Sequence, residues 1–137
     1  MTGEIYLLRH GATRLNEAGR LLGSRDEPLS PAGHAQARRA AEILAGVPVR
    51  RIWSSPLSRA RDTARYVADR LGAEITCRDA LRERDWGVFE GRPRDERPAI
   101  CAAPEGGEPE AAFEARVAGI FAEAIAAAPV LLVTHSG

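Results

Sequence analysis

Short apolar runs alternate along this chain with longer segments in which apolar residues recur every three or four positions. Ile5 to Leu8 reads as a buried strand. After a glycine-rich loop, Ser30-Pro31 supplies an N-cap and a first-turn proline, and Ala37, Ala40, Ala41 and Leu44 then share one helical face up to Gly46. Val49 to Trp53 forms the next strand. Ser55-Pro56 repeats the cap-plus-proline device before Leu57, Ala60, Ala64, Val67, Ala68 and Leu71, and Gly72 closes that helix. A weaker strand covers Glu74 to Cys77. The long segment from Asp79 to Pro109 is irregular, with a short helix expected near Glu96 to Ala103. Phe113, Val117, Phe121, Ala124 and Ile125 mark a further amphipathic helix, and Val130 to Val133 is the last strand. This order predicts an α/β fold with three layers, a mostly parallel sheet flanked by helices.

A length of 137 residues fits one domain, residues 1–137, and a core that needs no disulfide or metal to hold it. Nineteen basic and nineteen acidic side chains cancel, so no long-range field gathers polyanions. Nucleic acid and anionic membranes are therefore excluded as expected partners. Every basic residue is an arginine, which rules out a P-loop lysine or a Schiff-base lysine. Cys77 and Cys101 form no CxxC pair and read as reduced, buried thiols. No apolar run approaches the ~20 residues of a membrane span. The first residues lack the basic start and apolar stretch of a signal peptide, so the cytoplasm is the expected compartment.

Two strands finish alike, Leu8-Arg9-His10-Gly11 and Val133-Thr134-His135-Ser136. In a parallel sheet both imidazoles reach the edge where open α/β folds bind ligands. Arg59 lies just inside a helix start, where the macrodipole disfavours a cation unless an anion sits opposite. Arg9, beside His10 at a strand end taken as buried, needs a carboxylate or a phosphate. Two guanidiniums converging there would match phosphate oxygens. His34, near the start of a surface helix, reads as exposed and without a role, and Trp86 and Phe89 as packing under the loop, with a border of a substrate pocket as the alternative for Trp86.

Arg9-His10-Gly11, with Thr13 and Asn16 following, resembles the signature of the histidine phosphatase superfamily, which contains the cofactor-dependent phosphoglycerate mutases and many small phosphatases. Gly19-Arg20, Pro28-Leu29-Ser30, Ser54-Ser55-Pro56-Leu57-Ser58-Arg59-Ala60, Glu90-Gly91, Gly106-Gly107-Glu108 and Thr134-His135-Ser136-Gly137 extend the resemblance over nearly the whole chain. Ala12 and Leu22 depart from the glutamate and glutamine that this family often has there. The first leaves the nucleophile intact, and the second bears on contacts near the substrate.

The resemblance implies a phosphoglycerate mutase-like fold and a phosphohistidine on His10, with Arg9, Arg59 and His135 around the phosphoryl group. Thr13 and Asn16 are the next phosphate contacts, and Glu83 is the acid that protonates the leaving alcohol, ahead of Asp85 and Glu90. Taken without the family pattern, Glu83 lies in a mixed-charge run, Arg82-Glu83-Arg84-Asp85, of the kind that usually forms solvated loop. The expected activity is a phosphatase acting on a small phosphorylated metabolite without metal or cofactor, and α-ribazole phosphate is one substrate class in the family. The alternatives are a phosphoglycerate mutase and a phosphate-ester-binding domain without turnover; a homodimer is compatible with each. A metal hydrolase lacks a ligand-spaced motif such as HExxH. Family members continue past the second histidine with a helix and another strand, so the chain is expected to be C-terminally truncated, with a terminal carboxylate at Gly137 opposing a nearby anion.

Overall fold

A computed structural model describes residues 3–136; Gly137, and with it the expected terminal carboxylate, lies outside the described residues. Four strands form one sheet in the order β1-β4-β2-β3: β1 (Ile5–Arg9), β2 (Arg51–Ser54), β3 (Glu74–Cys77) and β4 (Val130–Thr134). All three pairings are parallel. The helices are α1 (Arg14–Glu17), α2 (Pro31–Ile43), α3 (Ser58–Leu71) and α4 (Glu110–Ala127). The layers follow from strand alternation. Ile52, Leu131 and Val133 pack with Ala41, Ala60, Ala64 and Val67 of α2 and α3, whereas Trp53, Val130 and Leu132 pack with Ile120 and Ala124 of α4.

The order of the strands matters more than their number. The chain leaves β1, crosses to β2, and only its last strand fills the gap between them. Register pairs Arg9 with Thr134, so His10 and His135 come next on neighbouring strands. The backbone continues the ladder there, with His10 N donating to the Thr134 carbonyl at 3.1 Å and Ser55 N to that of Val133 at 3.0 Å. Three strand ends thus converge.

Several local expectations are corrected. Among the described residues β1 pairs only with β4 and is an edge strand; Leu7 is 61% exposed, and Arg9 is exposed rather than buried. β3 is the opposite edge, which leaves Cys77 exposed; Cys101 is exposed in a loop. Ser55-Pro56 does not cap α3. That helix starts at Ser58 without a cap from its own N-cap residue, Leu57, and Asp26 from a distant loop substitutes. Its Oδ1 accepts from Ser58 N at 2.7 Å and from Ser58 Oγ at 2.6 Å, which holds the Asp26 carboxyl below its usual range. Ser30 does cap α2, accepting from Gly33 N at 3.1 Å. α2 ends at Ile43, a turn before Gly46. No helix spans Glu96 to Ala103: a single 3₁₀ turn covers Arg94–Glu96. Pro98 disfavours helix in the residue before it, and the carbonyls of Ile100 and Ala102 are held by Arg84 instead.

Asp26→Ala should cost about 1 kcal/mol, the usual worth of an N-cap, read as a lower urea midpoint with unchanged slope; an unchanged midpoint would show that α3 does not depend on this borrowed cap.

Candidate active site

A cavity of about 280 Å³ opens at the carboxyl ends of the strands. His10 lies in its wall, and the loop that follows is pinned from several sides. Gly11 N donates to Thr63 Oγ1 at 3.0 Å, Ala12 N to Gln36 Oε1 at 2.8 Å, and Ser30 N to the Ala12 carbonyl at 2.9 Å. Here glycine is a steric requirement. A Cβ on Gly11 would stand 2.4 Å from the Gly33 carbonyl oxygen, and one on Gly33 would stand 2.0 Å from that of Ala12.

Nδ1 of His10 lies 2.6 Å from the Gly11 carbonyl oxygen. A carbonyl only accepts, so Nδ1 carries the proton and Nε2 keeps a free lone pair. Burial, with Arg59 and Arg9 nearby, outweighs this bond and draws the imidazole pKa down to about 4. At neutral pH the ring is uncharged. His135 stands beside it, ring centroids 5.0 Å apart, and burial followed by the charge of Arg59 lowers its pKa further. Its Nε2 is 2.8 Å from Ser55 Oγ, which also accepts from Leu57 N. The assignment that satisfies both groups has Ser55 donating to Nε2, leaving the His135 proton on Nδ1.

Arg59 is 1% exposed. It donates to the carbonyls of Arg25 and Gly23, the latter at 2.8 Å. Burial lowers its pKa, opposed first by the negative charge of Glu83 and then by Asp26. Two buried side-chain atoms lack a partner among the described residues: Nε of Arg59 and Nδ1 of His135. An unsatisfied buried donor costs about 1–3 kcal/mol. Both belong to side chains around His10, and an oxyanion there would offer them acceptors.

Of the other residues singled out in the sequence, Arg9, Asn16 and Glu83 line this cavity. Glu83 is half-buried, and its Oε1 accepts from Arg84 N at 2.8 Å. Thr13 is placed differently, fully buried behind the wall, where its hydroxyl and the Asn16 side chain form a reciprocal cap on α1. Its hydroxyl is committed to that cap, and Thr13 does not line the cavity. His34 is half-buried, its Nδ1 2.9 Å from the Tyr66 hydroxyl. Trp86 is buried and also lines the cavity.

Sequence reasoning missed several contributors. Ser55 was taken for a cap and instead orients His135. Glu90 accepts from Ser24 N at 2.8 Å and Trp86 N at 3.0 Å, tying two walls together. Burial raises its pKa, and Gly23 beside it has a φ of 58°, in the left-handed region that favours glycine. Arg84, fully buried, donates to the carbonyls of Glu108, Ile100 and Ala102 and lies over the Trp86 ring. Its neighbours in sequence are charged, so nothing local distinguished it from solvated surface.

His10, a guanidinium buried at a helix start and a carboxylate line one cavity, and His135 stands beside His10 on the neighbouring strand end, which defines an α/β protein with a positively charged, histidine-bearing cavity at its strand ends. The chain belongs to the histidine phosphatase superfamily, branch 1, whose family model matches residues 5–137. It is 41% identical over 92 residues to a probable phosphoglycerate mutase GpmB of Enterobacter sp. (strain 638), a match covering 67% of this chain and 43% of that protein. The chain thus spans less than half the length of the curated relatives it matches. Among solved structures, it resembles a mycobacterial hydrolase at 32% identity and a TM-score of 0.88, covering 98% of this chain and 76% of that one. A mycobacterial glucosyl-3-phosphoglycerate phosphatase, solved with VO3, matches at 34% identity and a TM-score of 0.84, over 94% of this chain and 73% of that one. Among the described residues no helix is long and apolar enough to cross a membrane.

The depressed histidine sets a pH dependence of stability. An unfolded histidine titrates near 6.5 and His10 near 4, so the unfolded chain binds more protons between those values. The stabilisation is fully present above pH 6.5 and is lost as pH falls towards 4, on the order of 3 kcal/mol for this group. Thermal unfolding should therefore show a steep fall in Tm between pH 6.5 and 4.5 that His10→Gln makes shallower; parallel curves for the two proteins would contradict a buried neutral His10.

Proposed function

We propose that this chain forms the catalytic core of a phosphatase that hydrolyses a small-metabolite phosphomonoester, without metal, through a phosphohistidine on His10. The observation that carries this reading is the fixed tautomer of His10, with its lone pair on Nε2 and two orphaned donors beside it. Nε2 attacks phosphorus, the P–O bond to the ester breaks, and Glu83, which takes up a proton from solvent when the phosphate dianion binds beside it, passes that proton to the departing alkoxide. Glu83, now a carboxylate, takes a proton from water, whose oxygen attacks phosphorus as the P–N bond breaks. Inorganic phosphate leaves, and both side chains return to their starting states. Splitting hydrolysis into two displacements avoids one difficult step. Arg9, Arg59, Asn16 and His135 supply donors to the phosphoryl oxygens, where phosphoryl transfer gains most from positioning and charge. Proton transfer by Glu83 contributes about 10²–10⁴-fold.

The relatives support the class and divide on the outcome, since both a phosphatase and probable mutases are among them. The segment between Gly91 and Phe113 is short and leaves little material to shut water out, as a mutase must to retain its intermediate.

Acid-quench labelling with a phosphate ester should trap an acid-labile, alkali-stable phosphoprotein that His10→Ala abolishes, with inorganic phosphate as the product. Absence of label in rapid quench would overturn the covalent route, and isomer formation from 3-phosphoglycerate without phosphate release would reassign the chain as a mutase. Arg59→Ala should lower kcat/KM by about 10²-fold or more, in line with loss of a donor to a transition-state oxyanion, whereas Arg61→Ala and Arg65→Ala should stay within about threefold of the parent, as solvated charges do. Equal small effects at all three positions would reduce Arg59 to a structural arginine.

A further inference from the structure

Glu83 stands between two arginines that hold the chain on either side of it, and neither of them lines the cavity in front of His10. Before it, Arg116 of α4 donates to the carbonyls of Ala80 at 2.9 Å and Arg82 at 2.7 Å. After it, the Arg84 side chain is fully buried, and each of its nitrogens donates to a carbonyl: Nε to Glu108 at 3.0 Å, Nη1 to Ile100 at 2.8 Å and Nη2 to Ala102 at 2.8 Å. The two holds meet at Glu108. Its carboxylate takes Arg116 at 2.6 and 2.9 Å while its carbonyl takes Arg84.

Stability alone does not account for Arg84. Its guanidinium lies 4.4 Å from the centre of the Trp86 ring and 5.6 Å from that of Phe113, a place that an apolar side chain of similar length would fill without stripping water from a charge. What the guanidinium adds is a rigid planar fork. Residues 100, 102 and 108 lie in loop, so one side chain ties the residue after Glu83 to three points that no regular element fixes. The main chain of the same residue reaches the carboxyl group itself, with Arg84 N donating to Glu83 Oε1 at 2.8 Å. An oxygen that already accepts from an N–H is the poorer seat for a proton, so the acid form carries its proton on Oε2.

We propose that Arg84 is a positioning residue for acid catalysis: the carbonyl-bound guanidinium fixes the backbone from which Glu83 springs, and the N–H of the same residue turns Oε2 with its proton towards the leaving oxygen. This rests on the reading of Glu83 as the proton donor.

The leaving group separates such a role from simple loss of structure, because an alkoxide needs the proton and 2,4-dinitrophenolate departs without it. Arg84→Met should lower kcat/KM for propyl phosphate by about tenfold or more, the scale of a small misplacement of a catalytic group, and leave that for 2,4-dinitrophenyl phosphate within about threefold of the parent. Arg84→Lys keeps the charge, loses the fork and should show the same selectivity; it decides the matter where the methionine variant does not fold. Glu83→Gln supplies the reference, with its loss also confined to propyl phosphate. Equal losses on both esters in a folded Arg84 variant, or no loss on either, overturn the proposal, and so does failure of both variants to fold by circular dichroism, which makes Arg84 a structural residue. In each of those cases a selective Glu83→Gln leaves the reading of Glu83 standing. A Glu83→Gln protein that loses both esters alike sinks that reading, and the proposal with it.

Discussion

A guanidinium buried at the positive end of a helix is the constraint on which the rest of this structure turns. Arg59 is the second residue of α3 and is almost wholly removed from water. Burying an unpaired charge costs several kcal/mol, and the helix dipole adds to the cost. The chain offsets this with the carbonyls of Gly23 and Arg25 and with the carboxylates of Glu83 and Asp26. The compensating groups come from two separate parts of the sequence, residues 23–26 and Glu83, so satisfying one side chain draws the 23–26 loop, the 82–84 segment and the α3 start together. Asp26 serves twice, countering the charge and capping the helix that carries it. What the compensation omits is an acceptor for Nε, and that omission makes the arrangement a site.

The same burial that concentrates positive charge keeps the histidines neutral. Desolvation is the leading cause of the lowered pKa at both His10 and His135, and the neighbouring guanidiniums reinforce it. An imidazolium beside two arginines would be repelled; an imidazole whose Nδ1 proton is committed to the Gly11 carbonyl can only present Nε2. Anion attraction and nucleophilicity therefore share one cause. A site that relied on an imidazolium to bind phosphate would forfeit the nucleophile, whereas arginine stays charged across the whole working pH range.

Much of this was legible from the chain, and the illegible remainder has a physical pattern. Alternating strand and helix periodicity, strand-end histidines and a cation at a helix start are local, and each lies within a few residues. Edge and centre are not local. Ile5 to Leu8 carries the same apolar run whether one of its edges is paired or both, and among the described residues only β4, more than a hundred residues later, pairs with it. Ser55 looked like a cap because it precedes a proline, but its hydroxyl had a more demanding partner in His135, 80 positions away. Asp26, Glu90 and Arg84 act over 32, 66 and up to 24 positions. Short-range pattern cannot show such pairings, and they determine which polar residues are buried.

Arg84 shows why the catalytic wall and the cavity mouth should be treated as one mechanical unit. It follows Glu83 directly and is fully buried, with its three donors on carbonyls and none on a carboxylate. A carbonyl cradle positions a guanidinium without neutralising it, so the charge still contributes to the local field while the planar fork fixes geometry. The cradle is drawn from residues 100, 102 and 108, the segment that follows Arg94 and Arg97, and the other side of Glu83 faces the reacting cavity. The backbone of residues 83 and 84 therefore joins the Glu83 carboxyl group to the loop at the mouth. Displacing that loop would shift the carboxyl group as well, so this wall of the cavity and its mouth share a single support.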